Sequence, residues 1–394
     1  MELIQTTFNK TKDPVDKTPS WILLSRIQAV RGDSRGAFQA LKQCLADLGI
    51  QIQETTWEEC DDDFRTVCSK LQATERDKLP ARLPSEDRTL LTMGAVLVEM
   101  LSAAFWSNSL LFYQMTLKMI NLHLQHGTVP QFGLGYVHLA SIAIARFDLI
   151  DFGLELGGVA KRLFEDYQDD AYTIGRGQTL HSLFIGHLEG HLKDQLPVLD
   201  RAMGATVSAG DKILYSAELW SGRGDEALGV TRCARRRGAA ALAMGPPWRG
   251  LSNRGFVTQK ASNPERPLTI YRSYLLVALV LFGFHKDAVR LGETLLGNMD
   301  DIWCMRYVYS NLFYLSLSYL SLIREEPSRQ DRDELLNRVA SARKKLHLVS
   351  SSSNVNYNVL AAEVADVNGD YIEAMGRYEA ALDHASLYGF ILDE

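Results

Sequence analysis

Residues 369–385 read GDYIEAMGRYEAALDHA, and the spacing of their apolar side chains decides the fold class. Tyr371, Ala374, Met375, Tyr378, Ala381, Leu382 and Ala385 recur at the i, i+3, i+4, i+7 intervals of one helix face. Glu373, Arg377, Glu379, Asp383 and Ser386 occupy the opposite side. Asp370 stands where it can cap the first turn, with Glu373 three residues on as the reciprocal acid of a capping box. Just upstream, Tyr357, Leu360, Ala361, Val364 and Val367 form a second stripe that stops at Asn368-Gly369. Glycine there suits the left-handed end of a helix. Two antiparallel helices follow, with Ala374 small where the pair approaches most closely.

The same grammar occurs twice more. Gly32 precedes Ala37, and Gly283 precedes Ala288, by the interval that separates Gly369 from Ala374. Tyr271, Tyr274, Leu275, Ala278, Leu279 and Phe282 lead into Gly283, and Phe284, Ala288, Leu291 and Leu295 follow it. Trp21, Leu24, Ile27 and Val30 lead into Gly32, followed by Ala37, Phe38, Leu41, Leu45 and Leu48. The packing positions of these pairs are thus Gly32, Ala37, Gly283, Ala288, Gly369, Ala374, Tyr378 and Ala381. The glycines are irregularly spaced, unlike a tandem tetratricopeptide array with its period of about 34 residues. The expected fold is all-α: an irregular tetratricopeptide-like α-solenoid of antiparallel helix pairs. Its expected organisation is an N-terminal helix pair over 1–50, linker and caps over 51–88, and central helical repeats over 89–226. A basic irregular loop over 227–266 and C-terminal helical repeats over 267–394 complete it.

Composition agrees. A chain of 394 residues with 46% hydrophobic content can bury a large core, but it exceeds one ordinary compact domain unless that core is elongated. The formal charge of −6 gives no general attraction to nucleic acid or acidic membranes, which leaves protein as the expected partner. Five cysteines, Cys44, Cys60, Cys68, Cys233 and Cys304, are odd in number and lack CxxC spacing, so a reducing compartment is expected. The N-terminal stretch has no basic head followed by an apolar run, which points to the cytoplasm. YLLVALVLFGF at 274–284 is too short to cross a bilayer, and LLTMGAVLVEMLSAAFW at 90–106 is interrupted by Glu99; both are expected to be buried helices.

Residues 227–264 carry Arg232, Arg235, Arg236, Arg237, Arg249, Arg254 and Lys260 with no acid among them, and they are read as a solvated loop and not a nucleic-acid patch. Asp61, Asp62 and Asp63 resemble half of an aspartate-rich magnesium motif, but the position that should complete it is Arg65; a helix-cap role is expected. His123 and His126, and His187 and His191, have spacings that permit metal ligation. Glu189 is not where HExxH requires it, and Gly190 weakens the helix, so structural or surface histidines are expected. No GxxxxGK[ST] loop and no GxSxG elbow occurs. The chain is therefore expected to hold no catalytic residue, no cofactor and no metal.

Several stretches resemble the helical region of fungal hybrid histidine kinases that carry a kinase-like domain and a predicted ATPase. They are KMINLHLQHGTVPQFGLGYVHLA at 118–140, HSLFIGHLEGHLKDQLPVLDRAM at 181–203, YLSLSYLSLIREEP at 314–327 and, most specific, NVNYNVLAAEVADVNGDYIEAMGRYEAALDHASLYGF at 354–390. The resemblance covers most of the chain. It implies a tetratricopeptide-type spacer set after the ATPase and before GAF, histidine-kinase and receiver modules. No catalytic residue carries over, because no phosphate loop, phosphoacceptor histidine box or receiver aspartate can be assigned. The sequence departs from the family near LGVTRCARRRGAAALAMGPPWRG at 228–250, and it stops at GFILDE, as a fragment or short paralogue would.

The expected function is a non-catalytic protein-interaction or regulatory scaffold, a spacer in signal transduction by phosphorelay. The alternative is a small-molecule-sensing helical domain of an ATPase-linked regulator, with Trp106, Phe112, Tyr136, His138, Trp303 and Tyr307 lining a pocket between helices. A helical prenyl-transforming enzyme is disfavoured by the broken aspartate motif.

Overall fold

The computed structural model describes residues 2–73, 86–167, 170–190, 192–211, 265–299, 302–349 and 351–388. Among the described residues the chain is all-α, without a strand. The helices are α1 (Glu2–Lys10), α2 (Pro14–Val30), α3 (Ser34–Asp47), α4 (Trp57–Ala73), α5 (Arg88–Ser107), α6 (Ser109–His126), α7 (Phe132–Phe147) and α8 (Ile150–Asp166). They continue as α9 (Ala171–His181), α10 (Leu192–Ser208), α11 (Glu265–Leu281), α12 (His285–Leu296), α13 (Arg306–Glu325), α14 (Arg332–Leu348), α15 (Ser351–Val367) and α16 (Tyr371–Tyr388). A π-helical turn, Ser182–Gly186, follows α9. The chain divides into two compact units. The first comprises Met1–Ala140, Glu155–Leu180 and Leu199–Pro264; the second comprises Ser141–Leu154, His181–Val198 and Glu265–Glu394.

One turn recurs in both units. Gly32, Gly49, Gly210, Gly283 and Gly369 have φ of 83°, 86°, 70°, 79° and 81°, a backbone region that glycine enters without steric cost. After each, the next amide reaches back five residues: Asp33 to Gln28, Ile50 to Leu45, Asp211 to Thr206, Phe284 to Leu279 and Asp370 to Ala365, at 2.8–3.0 Å. Each glycine amide bonds three residues back, which completes the Schellman pattern and satisfies the last carbonyls of the helix. Ala37, Ala288 and Ala374 then make the first amide bond of the following helix, to Asp33, Phe284 and Asp370, and all three are buried. The aspartates also cap. Asp33 accepts from the Gly36 amide at 2.8 Å, and Asp370 from the Glu373 amide at 3.1 Å.

In the first unit α2 pairs with α3, and both pack on α5. Ala37, Leu41, Cys44 and Leu45 of α3 are buried, as are Leu97, Met100 and Leu101 of the largely buried α5 on which it packs. Asn108 ends α5 and caps α6, accepting from the amides of Leu110 and Leu111 at 2.8 and 3.1 Å. Phe164 of α8 wedges between Gly133 of α7 and Gly177 of α9, where a Cβ on either glycine would collide with the ring. In the second unit each helix from α11 to α15 packs on its successor, α15 packs on α16, and α13 also touches α11 and α15. Leu276, Ala288, Leu315, Tyr319, Leu320, Val339 and Leu360 build that core.

Several sequence expectations are corrected. Asp61, Asp62 and Asp63 do not cap α4 but lie inside it; Thr56 and Glu59 form the capping box, with Thr56 N to Glu59 Oε2 at 2.9 Å and Glu59 N to Thr56 Oγ1 at 3.2 Å. Helix α4 thus fills much of the stretch read as linker. The apolar face of α16 is narrower than its spacing implied: Ala374, Ala381 and Ala385 are buried and the Tyr378 hydroxyl donates to Glu363 of α15, whereas Tyr371, Met375 and Leu382 are exposed. Val30, Phe282 and Phe284 are also exposed. The basic segment falls outside the described residues, as does Cys233, except that Glu265 and Arg266 open α11. Among the described residues α5 alone is long and apolar enough to cross a membrane, and 56% of its most apolar window is buried.

The wedge gives a direct test. Gly177→Ala should lower stability by about 1–3 kcal/mol through overpacking, and adding Phe164→Leu should recover part of the loss. Thermal melts of the single and double variants measure this non-additivity.

Candidate functional site: a buried ionic centre and an amide-lined groove

The apolar helix α5 carries one carboxylate, Glu99, whose side chain is 5% exposed. Its Oε1 accepts from Arg26 Nε at 3.1 Å and Nη2 at 2.8 Å, and from the Tyr172 hydroxyl. Its Oε2 lies 3.8 Å from Arg176 Nη2. Arg176 Nε donates to Asp211 Oδ2 at 2.5 Å, and both side chains are almost fully buried. Both guanidinium groups lie over the Tyr172 ring, 4.6 and 4.5 Å from its centroid. Two cations therefore face two anions around one aromatic ring. Asp211 follows Gly210, so the position that caps a helix at Asp33 and Asp370 here takes an arginine.

The electrostatics are those of a locked structural cluster. Burial opposes the Arg176 charge, yet Tyr172, Glu99 and Asp211 hold its pKa above the usual value. Burial pushes the Tyr172 phenol well up, outweighing the nearby Arg176 charge, so its proton stays in place to donate to Glu99. His138 on α7 is pushed down to about 3, by burial and then by the Arg176 charge, and is neutral near pH 7. Of this cluster, Arg26 reaches a cleft of about 510 Å³ along α2 and α5, lined also by Val15, Pro19, Ile22, Leu23 and Arg88.

The histidine pairs are not brought together as ligands. His123 is fully buried, with Nδ1 2.9 Å from the Tyr136 hydroxyl and Nε2 3.1 Å from Thr128 Oγ1, while His126 is exposed. His187 is buried below the π-helical turn and pushed down to about 3 by burial, then by Arg306; His191 lies outside the described residues. Beside it, Cys304 Sγ donates to the Phe184 carbonyl at 3.0 Å, and burial pushes that thiol up. Burial also raises Cys44 and Cys68 to about 11, so these thiols are protonated. Asp61 accepts from the Tyr113 hydroxyl at 3.2 Å, and Asp62 pairs with Arg65. Among the described residues no group of three or more His, Cys, Asp or Glu could hold a metal ion.

Of the aromatics named for a sensing pocket, all but the half-buried Trp106 are buried in the interior of their own units. In the first unit Phe112 and Tyr136 are fully buried, Phe112 meets His138 at 4.7 Å, and Trp106 meets Phe105 at 5.2 Å. In the second unit Trp303 is buried with φ 45°, and the Tyr307 hydroxyl lies 2.8 Å from that of Tyr274.

A groove of about 370 Å³ runs along α6 in the first unit. Gln114, Lys118, Asn121 and Gln125 line it at i, i+4, i+7 and i+11, so one helix face presents three carboxamides and an ammonium group. The opposite wall is the non-helical stretch Gln51, Ile52 and Gln53, with Asp63 of α4. Gln114 Nε2 donates to the Gln53 carbonyl at 2.9 Å and ties the walls together. The α6 spacing was visible in the sequence; the opposing wall was not, because 51–53 had been read as linker. Comparison with family models, with curated proteins and with solved structures returns no match to this chain.

Glu99→Gln should destabilise the fold by about 1–3 kcal/mol, since it weakens the hydrogen bonds from Arg26 and the Tyr172 hydroxyl while Arg176 keeps Asp211; denaturant unfolding at neutral pH measures it. His138 gives a pH test. Its folded value lies below the ordinary 6.5, so the unfolded chain binds a proton that the folded chain refuses between pH 6.5 and about 3. Stability is therefore complete above that window and falls through it on acidification, by about 1.4 kcal/mol per pH unit from this group. His138→Gln should flatten the loss between pH 7 and 4.5.

Proposed function

We propose that the chain is a non-catalytic scaffold, whose helix pairs, stacked as an irregular tetratricopeptide-like solenoid, hold a protein partner or neighbouring signalling domains. The observation that carries this reading is the succession in the second unit. Helices α11 to α16 pack each on the next and share the glycine turn at Gly283 and Gly369, the nearest-neighbour organisation by which repeat proteins extend a binding surface. The chemistry of the side chains favours the same reading. Strongly perturbed groups, among them Arg176, Tyr172, His138, His187, Cys304 and Tyr309, are buried in the interior, the setting of structural side chains. The groove along α6 offers hydrogen-bonding groups at the surface.

The sequence resemblance to the spacer of fungal hybrid histidine kinases favours a place in phosphorelay signalling in the cytoplasm, next to kinase-like and ATPase modules. Regulation would then require the partner to bind two states of the helical array with different affinity. Pull-down of isolated kinase-like, ATPase, GAF and histidine-kinase modules of that family on the purified chain tests the proposal. Retention of at least one module, measured as a dissociation constant by calorimetry, is expected; retention of none sinks it.

A further inference from the structure

We infer that the groove along α6 binds an extended polypeptide segment through its main chain. The inference rests on the scaffold reading and specifies the ligand class of one surface. Its first ground is the α6 face. Gln114, Asn121 and Gln125 each carry a donor and an acceptor on one planar amide, the same pair that a peptide unit presents. From Gln114 to Gln125 the helix rises about 16 Å, the length of about five residues of extended chain.

The second ground is the facing wall. Gln51, Ile52 and Gln53 lie outside any helix, and Ile52 is buried and anchors them. The Gln53 carbonyl is taken by Gln114; among the described residues, the other main-chain donors and acceptors of Gln51, Ile52 and Gln53 make no hydrogen bond. They form a short open edge of the kind to which an added strand pairs. The capping box at Thr56 and Glu59 fixes how this edge enters α4.

The third ground is what the walls exclude. Lys118 and Asp63 place one charge of each sign in the groove, which gives no field for a phosphate backbone. No aromatic side chain lines it, so bases find nothing to stack on. Met115, Leu117 and Leu122 supply an apolar floor that accepts side chains without demanding a particular one. Main-chain pairing with weak side-chain preference is the recognition this chemistry supports.

The test pans the purified full chain with phage-displayed linear nine-residue peptides and measures synthetic copies of the enriched ones by fluorescence polarisation. Binding should weaken at least about tenfold for Asn121→Ala/Gln125→Ala. It should weaken comparably when alternate backbone amides of the peptide are N-methylated. Gln125 is exposed and Asn121 half-buried, and a matching thermal melt verifies that the double variant folds; Lys118→Ala, expected to change affinity little, controls for a charge-driven contact.

Three results overturn the inference: no enriched peptide, enriched peptides indifferent to both the double variant and N-methylation, or a self-associated wild type that the double variant disperses. The last would make a second copy of the chain the occupant. If a kinase or ATPase module binds while no peptide does, the scaffold reading stands and the groove inference falls. If peptides bind as expected and no module does, the outcome is reversed.

Discussion

The backbone bond that closes each glycine turn is the constraint on which the helix pairs depend. At Gly32, Gly49, Gly210, Gly283 and Gly369, an amide reaching back over the left-handed glycine satisfies a carbonyl that the helix itself leaves open. After Gly32, Gly283 and Gly369 the next helix starts two residues on. At Gly32, Gly283 and Gly369 this sets the start of the next helix, so that an alanine one turn further on, Ala37, Ala288 or Ala374, falls at the buried side. A bulky residue at that alanine would push the partners apart, and a β-branched residue at the glycine would strain the turn.

Close helix approach is used again inside each unit, with an aromatic or leucine side chain in place of backbone. Phe164 fills the space left by two missing Cβ atoms, at Gly133 and Gly177, and Leu315 fills the space above Gly292. Each substitutes a large apolar group on one helix for small ones on another, the complementarity that dense interiors require. Such contacts fix the distance between helices but not their register.

Register in the first unit comes from charge. Glu99 sits on a helix that would otherwise bury easily, and its carboxylate is met there by donors from other helices: Arg26 from α2, Tyr172 from α9, and Arg176 nearby. Arg176 in turn needs Asp211. A sliding of α5 by one turn would strand these charges in the interior, which costs several kcal/mol per ion. The cluster is thus a lock: its members bond to one another, and Arg26 also lines a cleft.

The sequence by itself determined the helix pairs around Gly32, Gly283 and Gly369, the turns that join them and the cap at Asp370. Those depend on hydrogen bonds that span five residues or fewer and on a repeat of 3.6, both legible along the chain. It did not distinguish the true cap of α4, because Thr56 and Glu59 and the three following aspartates offer similar local chemistry. Nor did it reveal the burial of α16, since Tyr371, Met375 and Leu382 lie on a stripe adjacent to Ala374, Ala381 and Ala385, and only the position of α15 selects between them. Glu99 read as an interruption in an apolar run, and its partners stand 73 positions away on either side, at Arg26 and Tyr172. The groove likewise joins α6 to a stretch 61 positions earlier in the chain. Local bonds are written in neighbouring residues; which buried charge meets which, and which face is covered, is decided only when distant segments compete for the same volume.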